Sequence, residues 1–314
     1  MGDLIDLVVT EKSAVAHGVT ALTLRHPEGR RLPDWSPGAH LDLVLPNGMV
    51  RQYSLCGDRW DSGSYRVAVL REPSGRGGSA FVHDRLRCGD RMAASAPRNN
   101  FRLAPAPSYL FIAGGIGITP LLPMIHQAAL LGVGWHLLYG GRNLGSMAFR
   151  DELAGHGDRV TVVPQDELGL LDLPAHLPPP GPDTQIYCCG PAPLLEALQR
   201  LTAGYPAGQV RTERFVPAAE TSAARDEPFE VELRRTGVTV VVTPRQSVLD
   251  AINAVGATVL SSCRQGTCGT CETAVIEGRP EHRDSILDDS ERAAADCLFP
   301  CVSRSGSGRL VLDA

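Results

Sequence analysis

Lysine is almost missing from this chain: of 30 basic residues only Lys12 is a lysine, a skew read as codon usage rather than function. Basic clustering is missing too. The net charge is -5 and no run of five or six like charges occurs, which removes the electrostatic footprint of a nucleic-acid binder. The start, Met1-Gly-Asp-Leu-Ile-Asp, lacks the basic and apolar regions of a secretory signal, so a cytoplasmic protein is expected. An even cysteine framework is also absent. There are nine cysteines, four of them crowded in one C-terminal stretch, which fits a reducing compartment and metal chemistry better than disulfides. Asp, Glu, Lys and Arg are all missing between Arg102 and Arg142, the one feature that suggests a membrane. Pro120, Pro123, His126, Gln127, His136 and several glycines interrupt that stretch, and a spanning helix of about 20 apolar residues would not carry them. It reads instead as buried β-α-β.

What is present is an ordinary globular composition, 43% hydrophobic and 21% charged, over 314 residues. At roughly 150 residues per domain this predicts two domains, or three small ones. Up to about Phe101, short alternating segments such as Leu41-Asp-Leu-Val-Leu45 and Tyr65-Arg-Val-Ala-Val-Leu70 are separated by turns such as Pro46-Asn-Gly48, the pattern of an antiparallel β-barrel. From Ser108 the texture changes. Apolar strands at Tyr109–Ala113, Trp135–Tyr139, Arg159–Val163, Gln185–Cys189 and Gln209–Phe215 alternate with helical stretches, which predicts a parallel, doubly wound α/β sheet. Pro217 to Asp226 has small polar composition and reads as a linker. Beyond it, Phe229–Leu233 and Val238–Val242 flank a turn and Ser247–Val255 reads as a helix. The expected boundaries are therefore 1–103, 104–216, a linker at 217–227, and 228–314.

Cys263-Arg-Gln-Gly-Thr-Cys268-Gly-Thr-Cys271, followed by Cys301, has the C-x4-C-x2-C...C spacing of a 2Fe-2S site. A structural zinc site is the competing reading, but zinc sites favour two paired C-x2-4-C elements and one is present here. Cys301 is expected to be the fourth ligand because Cys301-Val-Ser-Arg304 reads as entering a strand, whereas Cys297 reads as ending a helical run. From about residue 228 onward the chain resembles plant-type ferredoxins, which implies a β-grasp domain.

A ferredoxin at the end of a longer chain suggests a flavoprotein, and the remaining motifs fit one. Arg51-Gln-Tyr53-Ser54-Leu55 resembles the R-x-Y-S element of the ferredoxin-reductase superfamily, in which the arginine meets flavin phosphate and the tyrosine and serine line the ring system. A fixed guanidinium suits a phosphate and an aromatic face suits a planar ring. Gly75-Arg-Gly77-Gly78-Ser79 precedes a helical stretch, Ala80 to Leu86, and offers small residues and amides to an anion. Alone, each is equally a turn and a salt-bridging strand. Gly114-Gly115-Ile-Gly117-Ile-Thr119-Pro120 follows a strand and opens a helix, with Thr119 expected as N-cap and Pro120 as first helical residue. It resembles the superfamily's nicotinamide loop, as does Cys189-Gly190-Pro191, whose cysteine would lie near the nicotinamide. Arg142 either meets dinucleotide phosphates or caps its turn. Phe215 by the same resemblance covers the flavin, against a core-packing alternative. Cys56, Cys88 and Cys188 are expected to be small core residues.

The order flavin barrel, nicotinamide domain, C-terminal ferredoxin resembles the phthalate dioxygenase reductase and vanillate demethylase reductase group over essentially the whole chain. That resemblance implies FMN, NADH and a 2Fe-2S cluster, with Ser54, Thr119 and Cys189 shaping the hydride-transfer pocket. The implied partner is the oxygenase component of a Rieske non-haem iron system for aromatic hydroxylation or O-demethylation, reached by a monomer that binds neither nucleic acid nor membrane. A haem-thiolate monooxygenase as acceptor, a stand-alone flavin reductase and a redox-sensing module are the alternatives. Six acids, Glu281, Asp284, Asp288, Asp289, Glu291 and Asp296, stand against Arg283 and Arg292. They read as a solvated loop or, more sharply, as a surface that steers a basic partner.

Overall fold

The computed structural model describes residues 4–216, 227–287 and 289–314. Residues 1–213 form one compact unit and 214–314 a second. The expected linker, apart from Glu227, lies outside the described residues.

Alternation of apolar and polar residues produces six antiparallel strands in the first unit: β1 (Ile5–Ala16), β2 (Val19–Arg25), β3 (His40–Val44), β4 (Val50–Ser54), β5 (Tyr65–Leu70) and β6 (Arg91–Ala94). One short helix, α1 (Gly78–Asp84), lies between the last two. The sheet order is β4-β3-β6-β1-β2-β5, and a bridge between Leu55 and Val67 brings its two edges together as a barrel. Leu7, Leu22, Leu41, Leu43 and Val67 fill the interior with no exposed surface. An inward-pointing set of this kind follows from the period-2 geometry of a strand.

The α/β part contains β7 (Ser108–Gly114), α2 (Ile118–Leu130), β8 (Gly134–Gly141), α3 (Arg150–Ala154), β9 (Val160–Pro164), α4 (Gln165–Leu168), α5 (Leu173–His176), β10 (Thr184–Cys189), α6 (Ala192–Leu201) and β11 (Val210–Glu213). Its five strands are parallel in the order β11-β10-β7-β8-β9. The chain therefore winds from β7 to β9 on one side, returns to β10 on the other, and reverses direction between β7 and β10. Along β7, Phe111 and Ala113 join one buried layer while Leu110 and Ile112 join the other. Burial on both faces explains the uncharged run between Arg102 and Arg142. No helix among the described residues is long and apolar enough to cross a membrane. Val19, Cys56 and Ala68 of the barrel share a core with Tyr109 and Ile118, so barrel and α/β part pack as one body.

The second unit has β12 (Phe229–Leu233), β13 (Val238–Val242), α7 (Val248–Ala254), β14 (Thr273–Glu277), β15 (Pro280–Glu281), α8 (Asp289–Ala294), β16 (Cys297–Leu298), β17 (Arg304–Ser305) and β18 (Arg309–Leu312). A hairpin, β12-β13, pairs through β12 with parallel β18, giving the order β13-β12-β18-β14-β16. Val248, Ala251 and Ile252 of α7 pack on Val231, Leu310 and Leu312, a helix grasped by a sheet. Ser247 caps α7 by accepting the Asp250 amide at 3.1 Å.

Four local readings need correction. β11 stops at Glu213, so Phe215 lies past the strand and is 43% exposed rather than closing it. Cys88 is exposed, not a core residue. A 3-10 turn over Gly115–Gly117 runs straight into α2, so the helix is entered at Gly117 and Thr119 is not its N-cap. Cys297 opens strand β16 opposite Ala274 rather than ending a helical run, while Cys301 sits in the turn that follows, and the chain from it enters β17 at Arg304 as expected.

Candidate functional site

Arg51 on β4 and the start of α1 meet, although 25 residues separate Arg51 from Arg76. The Arg51 guanidinium donates to the Val50 carbonyl at 2.8 Å and to the Arg76 carbonyl at 3.0 Å. It lies over Gly78, where a Cβ would come within 2.3 Å of Nε. Gly77 enters the helix at φ +83°, a conformation that favours glycine. Ser79 is turned to its own loop, its hydroxyl accepting the Glu72 amide at 3.0 Å. A guanidinium against the unpaired amides of a helix start is a donor set that fits a phosphate. Tyr53 is half-buried beside it, and burial pushes its phenol up to about 12. Ser54 is buried at the end of β4, opposite His40.

At the reversal between β7 and β10, two loops are in direct backbone contact. A Cβ on Gly117 would stand 2.2 Å from the Cys189 carbonyl oxygen, and one on Gly114 would stand 2.6 Å from Pro191 Cδ. Gly190 approaches Gly114 to 3.0 Å on the same measure. Gly114 and Gly117 thus meet Cys189, Gly190 and Pro191 at the strand reversal, the kind of crevice where parallel α/β sheets bind ligands, with Gly115, Thr119 and Pro120 on the same turn and helix start. The Gly115–Gly117 turn also packs against barrel strand β5. Thr119 is 2% exposed and donates to the Ile116 carbonyl at 3.0 Å. Arg142, just past β8, is exposed.

Cys189 is fully buried, and burial, then Glu213, raises its thiol well above the ordinary range. Its sulfur lies 3.9 Å from Glu213 Oε2. Glu213 itself is pushed up to about 8 by burial. The sequence reading used Glu213 as a strand end and gave it no role. Its signal is the parallel register that pairs it with Cys189, which no local motif contains.

In the second unit the four cysteines of the motif come together. Cys271 and Cys301 sulfurs are 3.3 Å apart. Cys263 is held below the usual thiol range by hydrogen bonds from Cys268 and then Cys301. Backbone amides turn toward the sulfurs, Gln265 N to Cys263 at 3.3 Å and Thr270 N to Cys268 at 3.5 Å. Four sulfurs with amide donors are a set that fits a 2Fe-2S cluster. Gly266, at φ +68°, lets the loop pass Asp284, whose Cα a Cβ would reach at 3.0 Å. Asp284 is buried, its carboxylate accepting the Ile286 and Leu287 amides at 3.0 and 2.9 Å. Glu281 pairs with Arg283 at 2.8 Å. Neither is a free surface acid, so the expected acidic face is smaller than its sequence suggests; Asp288 lies outside the described residues.

Residues 231–305 match the family model described as a 2Fe-2S iron-sulfur cluster binding domain. The chain is 44% identical to a putative toluene-4-sulfonate monooxygenase system reductase subunit of Comamonas testosteroni, over 98% of each chain. It matches the solved structure of phthalate dioxygenase reductase, described as modular for electron transfer from pyridine nucleotides to [2Fe-2S], at 35% identity and TM-score 0.71, covering 99% of this chain and 98% of that one. An intact type IV self-sufficient cytochrome P450 monooxygenase matches at 40% identity and TM-score 0.93; the match covers 99% of this chain and 41% of the P450 chain.

Proposed function

The chain belongs to the phthalate dioxygenase reductase family of oxygenase reductase subunits, and from that premise we propose that it carries electrons from NADH through FMN and its 2Fe-2S cluster to a Rieske-type oxygenase. That it is a flavin and iron-sulfur oxidoreductase follows from the family itself. The finer reading rests on one observation above all: the two loops in contact at the strand reversal abut the barrel that carries Arg51 and Tyr53. A dinucleotide in that crevice would be delivered to whatever the barrel holds.

Arg51 would neutralise a terminal phosphate, with the amides of Gly78 and Ser79 completing the cradle and Tyr53 offering a ring face. No long insertion between β4 and α1 is available for an adenosine, which favours FMN. When bound, a flavin accepts a two-electron hydride and releases electrons one at a time, as a 2Fe-2S acceptor requires. The chain's own part is placement. Thr119 and Cys189 close the crevice, buried Ser54 ends the strand that carries Arg51 and Tyr53, and Ile118, Leu121 and Leu122 anchor the start of α2 in the shared core. Cys263, Cys268, Cys271 and Cys301 would hold the cluster. A monomeric, cytoplasmic protein belongs to the same proposal, supported by the net charge of -5 and nine free cysteines.

A second reading makes the acceptor a haem-thiolate monooxygenase, supported by the likeness to the P450 chain. Released flavin identified by chromatography, together with reduction rates for NADH and NADPH, tests the donor side. Recovery of FAD, or equal rates with both coenzymes, overturns it. Reduction of a purified Rieske-type oxygenase component, against reduction of a P450, decides the acceptor.

A further inference from the structure

Lys12 is the sole lysine among 30 basic residues, so arginine serves at every other basic position. Its placement shows why this position differs. From β1 its Nζ donates to the carbonyls of Val82, His83 and Leu86, each at 2.8 Å. These belong to the last turn of α1 and the residues just past it, where no further helical turn supplies donors. Three acceptors converging on one point suit an ammonium, whose three N–H bonds radiate from a single nitrogen. A guanidinium spreads its donors over a planar fork. The positive charge also stands at the negative end of the helix dipole.

The rest of α1 is held as firmly. His83 places Nε2 2.9 Å from the Val69 carbonyl and Nδ1 3.2 Å from the Thr20 hydroxyl. The helix spans 7 residues, about 10 Å at 1.5 Å per residue, so a shift at its carboxyl end moves its amide end as a body. That amide end is where Arg51 lies over Gly78 and bonds the Arg76 carbonyl.

We propose that Lys12 is a positioning residue for the flavin phosphate: it clamps the carboxyl end of α1 to β1 and thereby holds the amide end in register with Arg51. This rests on reading Arg51 and Gly77–Ser79 as the phosphate site.

The test compares FMN with riboflavin, which lacks the phosphate, on the full-length protein freed of flavin and reconstituted. Lys12→Met keeps the apolar stem and removes the ammonium. It should weaken FMN about tenfold, the size of one charge-assisted hydrogen bond, and leave riboflavin binding unchanged. Lys12→Arg should not restore the difference. Reductive methylation of the folded full-length protein, with modification of Lys12 confirmed by mass spectrometry, should reproduce the loss and covers the case of a variant that does not fold. Equal weakening of both flavins would reduce Lys12 to a structural tie, and unchanged FMN binding would remove it altogether; either overturns the proposal. Arg51→Ala separates the two levels. If Arg51→Ala abolishes the FMN preference and Lys12→Met does not, the clamp is wrong and the phosphate site stands. If neither changes the preference, the phosphate site itself is wrong.

Discussion

Replacing Gly117 with alanine puts a methyl group where the structure has none to spare. The new Cβ would lie 2.2 Å from the Cys189 oxygen, 2.5 Å from its carbonyl carbon and 2.8 Å from the Gly190 nitrogen. All three are backbone atoms, so no side chain can swing aside. Carbon–carbon contacts want about 3.5 Å or more, and the two loops must part by about 1 Å. Overpacking of this kind costs roughly 1 to 3 kcal/mol. At about 2 to 4 °C per kcal/mol for 150 to 250 residues, the first unit's melting point should fall by about 2 to 12 °C. The larger effect is kinetic, because a displacement of about 1 Å between reacting groups can cost about a hundredfold in rate. Ferricyanide reduction by NADH should show a raised KM and lowered kcat, with the cluster's visible spectrum intact. Gly132→Ala is the control. It has φ +67° and nothing within 4 Å, so alanine there costs about 1 to 2 kcal/mol in added backbone strain and leaves the kinetics alone. Unchanged melting and NADH kinetics in Gly117→Ala would refute the claim that the two loops jointly shape the crevice.

Cys301→Ser should lose the cluster's visible absorption while NADH still bleaches the flavin, and Cys297→Ser should keep it; the opposite pattern would make Cys297 the fourth ligand. Arg51→Ala should weaken flavin retention by roughly 1.5 to 3 kcal/mol, measured by ultrafiltration, and full retention would remove the phosphate contact. Glu213, raised from 4.5 to about 8 by burial, stays protonated in the folded state while the unfolded chain has already ionised. Stability should therefore fall as pH rises from about 4.5 to 8 and level off above. Because the residue keeps part of its surface in solvent, the slope should stay below the limit of about 1.4 kcal/mol per pH unit. Glu213→Gln should flatten that decline in a series of thermal melts, and a decline of undiminished slope would assign it to other groups.

The strands of the α/β part were legible because burial on both faces of a parallel sheet writes itself as continuous apolar runs; Tyr109–Ala113 lies inside observed β7 with one residue added at each end. The cysteine motif was legible because the ligand types and the short spacing are themselves the chemistry. Where the reading failed, the deciding partner was not local. Thr119-Pro120 has the composition of a helix start, but the preceding 3-10 turn already supplies the rising backbone, so α2 begins before them. Cys297 was misjudged because the alanines before it are good helix formers, while its pairing with Ala274, 23 residues earlier, makes it a strand.

Charge patterning misled in the same way. Asp284 sits in an acidic stretch that composition treats as solvated, yet it is 4% exposed: the adjacent amides of Ile286 and Leu287 both donate to its Oδ1, and Gly266 lets the cysteine loop close over it. Lys12 and Glu213 are harder cases still. Each acts on groups at least 24 residues away, Lys12 on α1 some 70 residues on and Glu213 on Cys189 through strand register. Periodicity and motif spacing carry no such information. What composition did carry was an anomaly without an address: a chain that uses arginine almost everywhere retains one lysine, at a point where three carbonyls converge and an arginine cannot meet them all.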